Sequence, residues 1–154
     1  FIGGSERIID TGKPSMDIRE WSFRQSASYY NCLNEEYILI SDKYTVDDGY
    51  RLTKELLKKD RLPSALCVAS DTLAVGVLQA LNEDGIQVPE KIAVFSINDV
   101  NVAKYLSPPL TTIHIDIPCI CETALDLLRN RVLYGSRVTK LVFVNGTPIF
   151  RKSC

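Results

Sequence analysis

Apolar and polar positions along this chain fall into short blocks that switch between two periods. Ala65–Ala69 is an apolar run of strand length. Ser70 and Asp71 follow, and both side chains suit a helix N-cap. Leu73, Ala74, Val77, Leu78 and Leu81 then recur at helical spacing. Gly85 takes the position just past the helix end, with Pro89 beyond it. Lys91–Ile97 reads as a second strand, ending in Asn98-Asp99. A strand, helix and strand unit of this length is parallel, with a right-handed crossover. In open parallel sheets, ligands bind outside the carboxyl ends of the strands. Ser70, Asp71, Asn98 and Asp99 are therefore the first site candidates.

The same alternation runs through most of the chain. Phe1–Gly4 reads as a strand entering a glycine turn, and Ser5–Ser15 as a loop. Asp17–Leu33 carries Ile18, Trp21, Phe23, Ala27, Tyr30 and Leu33 in a loose helical pattern. Glu36–Ser41 is a strand. Val46–Lys59 is a helix with Val46, Tyr50, Leu52, Leu56 and Leu57 inward, acidic in its first turn and basic in its last. This order predicts an α/β fold, an open parallel sheet with helices on both faces. Beyond Asp99 come a short turn or helix (Val100–Leu106), an extended Leu110–Ile115, a helix over Ile117–Tyr134, and extended Leu141–Val144 and Pro148–Arg151. Asn145-Gly146 between the last two is a hairpin signal taken alone.

Composition narrows the function. The 154 residues amount to about one domain, with 18 Lys+Arg against 19 Asp+Glu and no basic run. Such a segment is a poor grip for phosphate backbones. The 5 cysteines include no C-x-x-C, which suits reduced thiols better than a disulfide framework. A single His and scattered cysteines argue against a zinc site. No stretch is long and apolar enough to span a bilayer. With no initiator Met and an opening in mid-strand, the chain reads as part of something longer.

Three stretches in order, VASDTLAVGVLQALNEDGIQVPEKIAVFSIND, SPPLTTIHID and IFRKS, resemble the effector-binding core of the LacI/GalR family of bacterial transcription regulators. There are departures. Ser70 stands where most members carry Asn, and Ser96-Ile97-Asn98-Asp99 where most carry Gly-Phe-Asp-Asp. With DIRE at Asp17–Glu20 and LVFV at Leu141–Val144, these resemble the evolved β-galactosidase (ebg) repressor branch. The resemblance implies a periplasmic-binding-protein-like (type I) core of two lobes behind a helix-turn-helix head. Residues 1–112 would be the C-terminal lobe, 113–137 a crossing and a helix of the N-terminal lobe, and 138–154 the return. The head and most of the N-terminal lobe would lie outside this chain. Asn145-Gly146 would then be a kink at the hinge. It also implies a cytoplasmic homodimer that binds a sugar and, through its head, operator DNA, with no cofactor, no membrane association and no catalysis.

A neutral sugar needs planar donors and acceptors for its hydroxyls and an apolar face to lie against. By resemblance, Arg19 takes the position whose guanidinium forks onto sugar hydroxyls, and Tyr44 the place of a Trp against the ring. Ser70 matches a ligand Asn, through a water if need be, and Asn98 a sugar-binding Asp. Asp99 is either a ligand or the cap of the following turn. Asp71 reads as an N-cap rather than a ligand. His114-x-Asp116 reads as hinge rather than catalytic. The helix over Thr72–Asn82 has an apolar arc wider than one sheet requires. Either neighbouring helices cover it or it forms a two-fold interface from Leu73, Val75, Val77 and Leu78 with Tyr105 and Leu106, as the resemblance implies. The apolar face of Ile117–Tyr134 needs a partner beyond its own lobe. Two rival readings remain. One is a periplasmic or surface sugar-binding protein of the same fold. The other is a small α/β hydrolase, for which the chain offers no G-x-S-x-G, P-loop or G-x-G-x-x-G.

Overall fold

The computed structural model describes residues 1–7, 14–135 and 137–154. In chain order the elements are β1 (Ile2–Gly4), β2 (Glu6–Arg7), β3 (Pro14–Ser15), α1 (Ile18–Tyr29), β4 (Leu39–Ser41), α2 (Val46–Leu56), β5 (Ala65–Cys67), α3 (Asp71–Glu83), β6 (Ala93–Asn98), β7 (Thr111–His114), α4 (Ile117–Tyr134) and β8 (Thr147–Ile149). β1 pairs in parallel with β4, and β5, β6 and β7 form a second parallel ladder. A parallel bridge from Ile2 to Val68 joins the two. The resulting order is β4-β1-β5-β6-β7, with β8 antiparallel on the β7 edge. β2 and β3 form a small separate antiparallel ladder.

This order places the cleft. The chain leaves β1 outward to β4, then returns across β1 to β5. Right-handed crossovers put α1 on one face of the sheet and α2 and α3 on the other. The connections therefore diverge between β1 and β5, and a crevice opens at the carboxyl ends of those two strands.

Local sequence explains most element ends. Asp17, Thr45 and Ser70 cap α1, α2 and α3 through their side chains. Gly85, at φ +68°, follows α3 in the left-handed conformation. The strand expected over Glu36–Ser41 is shorter than its pattern. Asn34 accepts a hydrogen bond from the Glu36 amide at 3.0 Å and draws Glu35–Tyr37 into a 3₁₀ turn. In α1 the inward face is Glu20, Phe23 and Ala27, while Ile18, Trp21 and Tyr30 are exposed. Glu20 tolerates its burial because Arg24 donates to it at 2.8 Å.

Packing on the other face rests on two glycines. A methyl group at Gly49 would lie 2.1 Å from the Leu73 carbonyl oxygen, and one at Gly76 only 2.0 Å from that of Val46. α2 and α3 thus touch backbone to backbone, which only glycine permits. α3 is held between the sheet and α2, so its apolar arc is wide because it is covered from two sides. This corrects the expected dimer face: Leu73 and Val77 have no exposed surface and Leu78 is buried, so all three belong to the core. Val75 and Leu106 are half-buried, and Tyr105 is 76% exposed. Cys67 packs in the same core, where burial pushes its thiol up to about 12.

The last quarter of the chain behaves differently. No residue of α4 is buried, and Leu125, Leu128 and Val132 are 58–70% exposed. Leu141–Val144 forms no strand, so Asn145-Gly146 closes no hairpin. Gly146 instead lies against Ile113 on β7, where a methyl group would come within 2.5 Å of that side chain. The tail then docks by Ser153. Its hydroxyl donates to the Val94 carbonyl at 2.6 Å and accepts from the Thr111 amide at 2.8 Å, while its carbonyl accepts from the Val94 amide at 2.7 Å. The closing motif fills the place beside β6 that β7 does not reach.

Gly76→Ala should destabilise the fold by about 2–3 kcal/mol, because the added methyl meets rigid backbone. Gly85→Ala, with nothing within 4 Å but a positive φ, should cost only about 1 kcal/mol. Urea denaturation of the two variants tests this, and the reverse ranking would disprove the close approach of α2 and α3.

Candidate functional site

The carboxyl ends of β1 and β5 bring together three side chains. Asp17 caps α1 and is buried, accepting from the Arg19 amide at 2.7 Å. The Arg19 Nε donates to both oxygens of Asp17, at 2.9 and 3.1 Å, and its Nη2 donates to Oδ2. Nη1 reaches across to the Ala69 carbonyl at the end of β5, at 2.9 Å. The guanidinium carbon stands 4.9 Å over the centre of the Tyr44 ring. The Tyr44 hydroxyl lies within hydrogen-bond reach of the Gly4 carbonyl, at 2.7 Å, and of Asp17 Oδ2. Gly4 makes room for it, since a methyl group there would sit 2.8 Å from the ring.

The electrostatics follow from these contacts. Burial works to raise the pKa of Asp17, but hydrogen bonds from Arg19 and Tyr44 outweigh it and hold the carboxyl below its ordinary 3.8. The same hydrogen bonding keeps the Arg19 guanidinium more firmly protonated than usual.

The rim continues along β5, β6 and β7. Ser70 is the N-cap of α3, its hydroxyl accepting from the Leu73 amide at 3.3 Å. Asp71 is not the cap that the sequence predicts. It is fully buried, accepting from Thr112 Oγ1 at 2.7 Å, the Val100 amide at 2.7 Å, and Ser96 Oγ. One side chain thus ties α3 to β6, β7 and the turn that follows β6. Asn98 and Asp99 end β6 with φ of +123° and +58°. Two successive non-glycine residues in this region store strain, which accumulates at functional sites. Asp99 does not cap the next turn, whose N-cap Val100 makes no side-chain hydrogen bond. Its Oδ1 accepts from Arg151 Nη2 at 2.6 Å and its Oδ2 lies 3.1 Å from His114 Nδ1. Arg151 also donates to the Leu110 carbonyl at 2.7 Å. Asp116 caps α4 through the Cys119 amide at 2.9 Å, so His114 and Asp116 have separate partners.

Of the residues singled out from sequence, Arg19 and Tyr44 are in direct contact. Ser70 is next to Ala69, which Arg19 holds, and Asn98 ends the neighbouring strand. Asp99 belongs to a second cluster with Arg151 and His114. Sequence reasoning missed the roles of Asp17, Asp71 and Arg151. Asp17 had a local signal, an acidic cap two residues before an arginine. Asp71 and Arg151 had none, since their partners lie far away in the chain. A groove at the carboxyl end of β4 is lined by Ser41, Asp42, Lys43 and Thr45. The grooves of the described surface include one beside α4, lined by Leu127, Leu128 and Val138, and one below Gly85–Glu90. Enclosing a ligand on the rim requires a second wall.

A parallel sheet with a polar rim at its switch point defines a class of ligand-binding domain. Residues 3–154 match the family model of the periplasmic binding protein-like domain, and the chain belongs to that family. Within it, the chain matches the effector-binding core of LacI/GalR-type transcription regulators. It is 43% identical to the HTH-type transcriptional regulator GanR of Bacillus subtilis (strain 168) over 155 residues, 99% of this chain and 47% of that regulator. A putative transcriptional regulator LacI from Bacillus cereus subsp. cytotoxis NVH 391-98 superposes with a TM-score of 0.85 at 24% identity, over 99% of this chain and 52% of that one. A LacI family regulator from Lactobacillus casei, solved with bound sucrose, gives 0.79 at 22% identity, over 99% and 56%. At those identities the structural likeness is one of fold. The chain spans about half the length of the curated relatives it matches. No helix of the described residues is long and apolar enough to cross a membrane.

Removing the Asp71 carboxylate leaves three buried or half-buried donors without an acceptor. Asp71→Ala should therefore lower stability by about 3 kcal/mol or more. A shift in urea midpoint equivalent to less than about 1 kcal/mol would refute the tie it makes between β6 and β7.

Proposed function

We propose that this chain is the larger part of one lobe of a sugar sensor, in a LacI-type transcription regulator that represses carbohydrate-utilisation genes. The observation that carries this is the Arg19–Tyr44 pair at the switch point of the sheet. A guanidinium fork is placed beside an aromatic face, the two things a polyol needs. Asn98 adds an amide that both donates and accepts. Ser70 spends an acceptor on its cap and keeps a proton for the ligand or a bridging water. Asp99, held by Arg151, serves the fold rather than the ligand.

The second wall of the cleft is the other lobe. The exposed apolar face of α4 supports its membership of that lobe. Residues 113–137 then form a crossing and a helix of the partner lobe, and 138–154 the return, with 1–112 this lobe. Sugar held between the lobes favours one arrangement over another by its differential affinity. A helix-turn-helix head, as in the relatives, then meets operator half-sites with better or worse spacing. The bound sucrose of the Lactobacillus casei neighbour supports a sugar as the effector. Ser70, Asn98 and the DIRE and LVFV stretches favour the ebg-like branch. In this reading the protein is cytoplasmic, needs no cofactor, and is not an enzyme.

A dimer forms through the exposed surface that remains once the buried α3 residues are set aside. That surface comprises the exposed Tyr105, the half-buried Val75 and Leu106, and Val102 at 45% exposure. Tyr105→Glu should shift the intact protein toward monomer in sedimentation equilibrium, and an unchanged dimer would remove this surface from the reading.

Calorimetry of the intact protein with a sugar panel tests the site. Arg19→Ala should weaken binding about 10- to 100-fold, the loss of charge-assisted hydrogen bonds to hydroxyls. Unchanged affinity would overturn the assignment.

A further inference from the structure

We propose that Asp17 sets the charge of this site as well as its geometry, so that the pocket takes uncharged sugars and rejects their phosphorylated forms. This rests on the sugar-sensor reading and narrows it. An arginine facing a cleft alone is a good bidentate partner for phosphate. Arg19 is not in that state. Asp17 is buried beneath it, engages Nε and Nη2, and lies within hydrogen-bond reach of the Tyr44 hydroxyl. The ion pair fixes the plane of the guanidinium against the Tyr44 ring and cancels its net charge at the rim. A hydroxyl loses nothing by this, since it needs only a directed N–H. A phosphate dianion loses its attraction to the cation and meets a carboxylate a few ångströms behind it. The cancellation persists at neutral pH, because the contacts hold Asp17 ionised.

Asp71 and Asp99 do not substitute for it, and Asp48, in the first turn of α2 beside the end of β4, is engaged by Ser41, Thr45 and Arg51. Asp71 is consumed by Ser96, Thr112 and Val100, and Asp99 by Arg151 and His114. Asp17 is therefore a positioning residue that acts through Arg19. It is separable from its role as a cap, because Asn caps a helix as well as Asp does.

Calorimetry of the intact protein with galactose, glucose and sucrose, each beside its 6-phosphate, tests this. In the wild type the phosphorylated form should bind at least about tenfold more weakly than its parent sugar. In Asp17→Asn, with melting temperature followed in parallel, the parent should weaken and the ratio of the two affinities fall by about tenfold or more. A purely structural role would weaken both ligands alike and leave that ratio unchanged. Phosphorylated forms that bind the wild type as tightly as their parents overturn the inference, even if the variant does not fold. A folded variant with the wild-type ratio overturns it as well. Both results leave the sugar-sensor reading standing, as long as Arg19→Ala still weakens parent-sugar binding. No binding by any of the six probes overturns both.

Discussion

The carboxyl rim of this sheet is held in shape by one buried carboxylate. Asp71 begins α3 and reaches the side chains of Ser96 on β6 and Thr112 on β7 and the amide of Val100. A carboxylate taken out of water is tolerated only where donors replace the water, and here three elements supply them. The consequence is geometric. The ends of β6 and β7 and the turn after β6 are fixed to the start of α3, and the strained Asn98-Asp99 pair is presented from a rigid base. The β6 and β7 end of the rim is arranged around that anchor.

A second carboxylate repeats the logic at the switch point, with a different outcome. Asp71 is entirely spent on the fold, whereas Asp17 holds an arginine that retains a quarter of its side-chain surface. Arg19 therefore reaches the rim as a directed donor with its charge balanced. Asp99 is a third case, paired with Arg151 from the returning tail. The tail is thereby tied to the end of β6 as well as to its beginning, where Ser153 docks. These three acidic residues serve three ends: anchoring strands, orienting an arginine and fastening the returning tail.

α4 shows how much of a stable element can be set locally. It has an acidic N-cap in Asp116, a proline in its first turn and a left-handed glycine, Gly135, at its end. These signals suffice to define a helix none of whose residues is fully buried. In the proposed reading that face belongs to a second lobe, which is also the other wall of the rim.

The alternation of strand and helix, the cap at Ser70 and the stop at Gly85 were legible in the chain because each depends on residues within about one helical turn. From these follow the parallel sheet and the rim on which ligands bind. The resemblance added the family and drew attention to Arg19 and Tyr44. The rest was decided in three dimensions. The wide arc of α3 suits a dimer face or a helix covered from both sides equally well. The choice fell to Gly49 and Gly76, whose lack of a side chain lets α2 pack backbone to backbone on α3 at Leu73. Asn145-Gly146 suits a hairpin or a kink, and the choice fell to β8, which pairs with β7 and leaves Leu141–Val144 unpaired. Asp17, Arg19, Tyr44 and Ala69 meet only after β1 has been enclosed between β4 and β5. Periodicity records which face of an element is apolar; it carries no record of what that face will meet, because the partner is supplied by strand order.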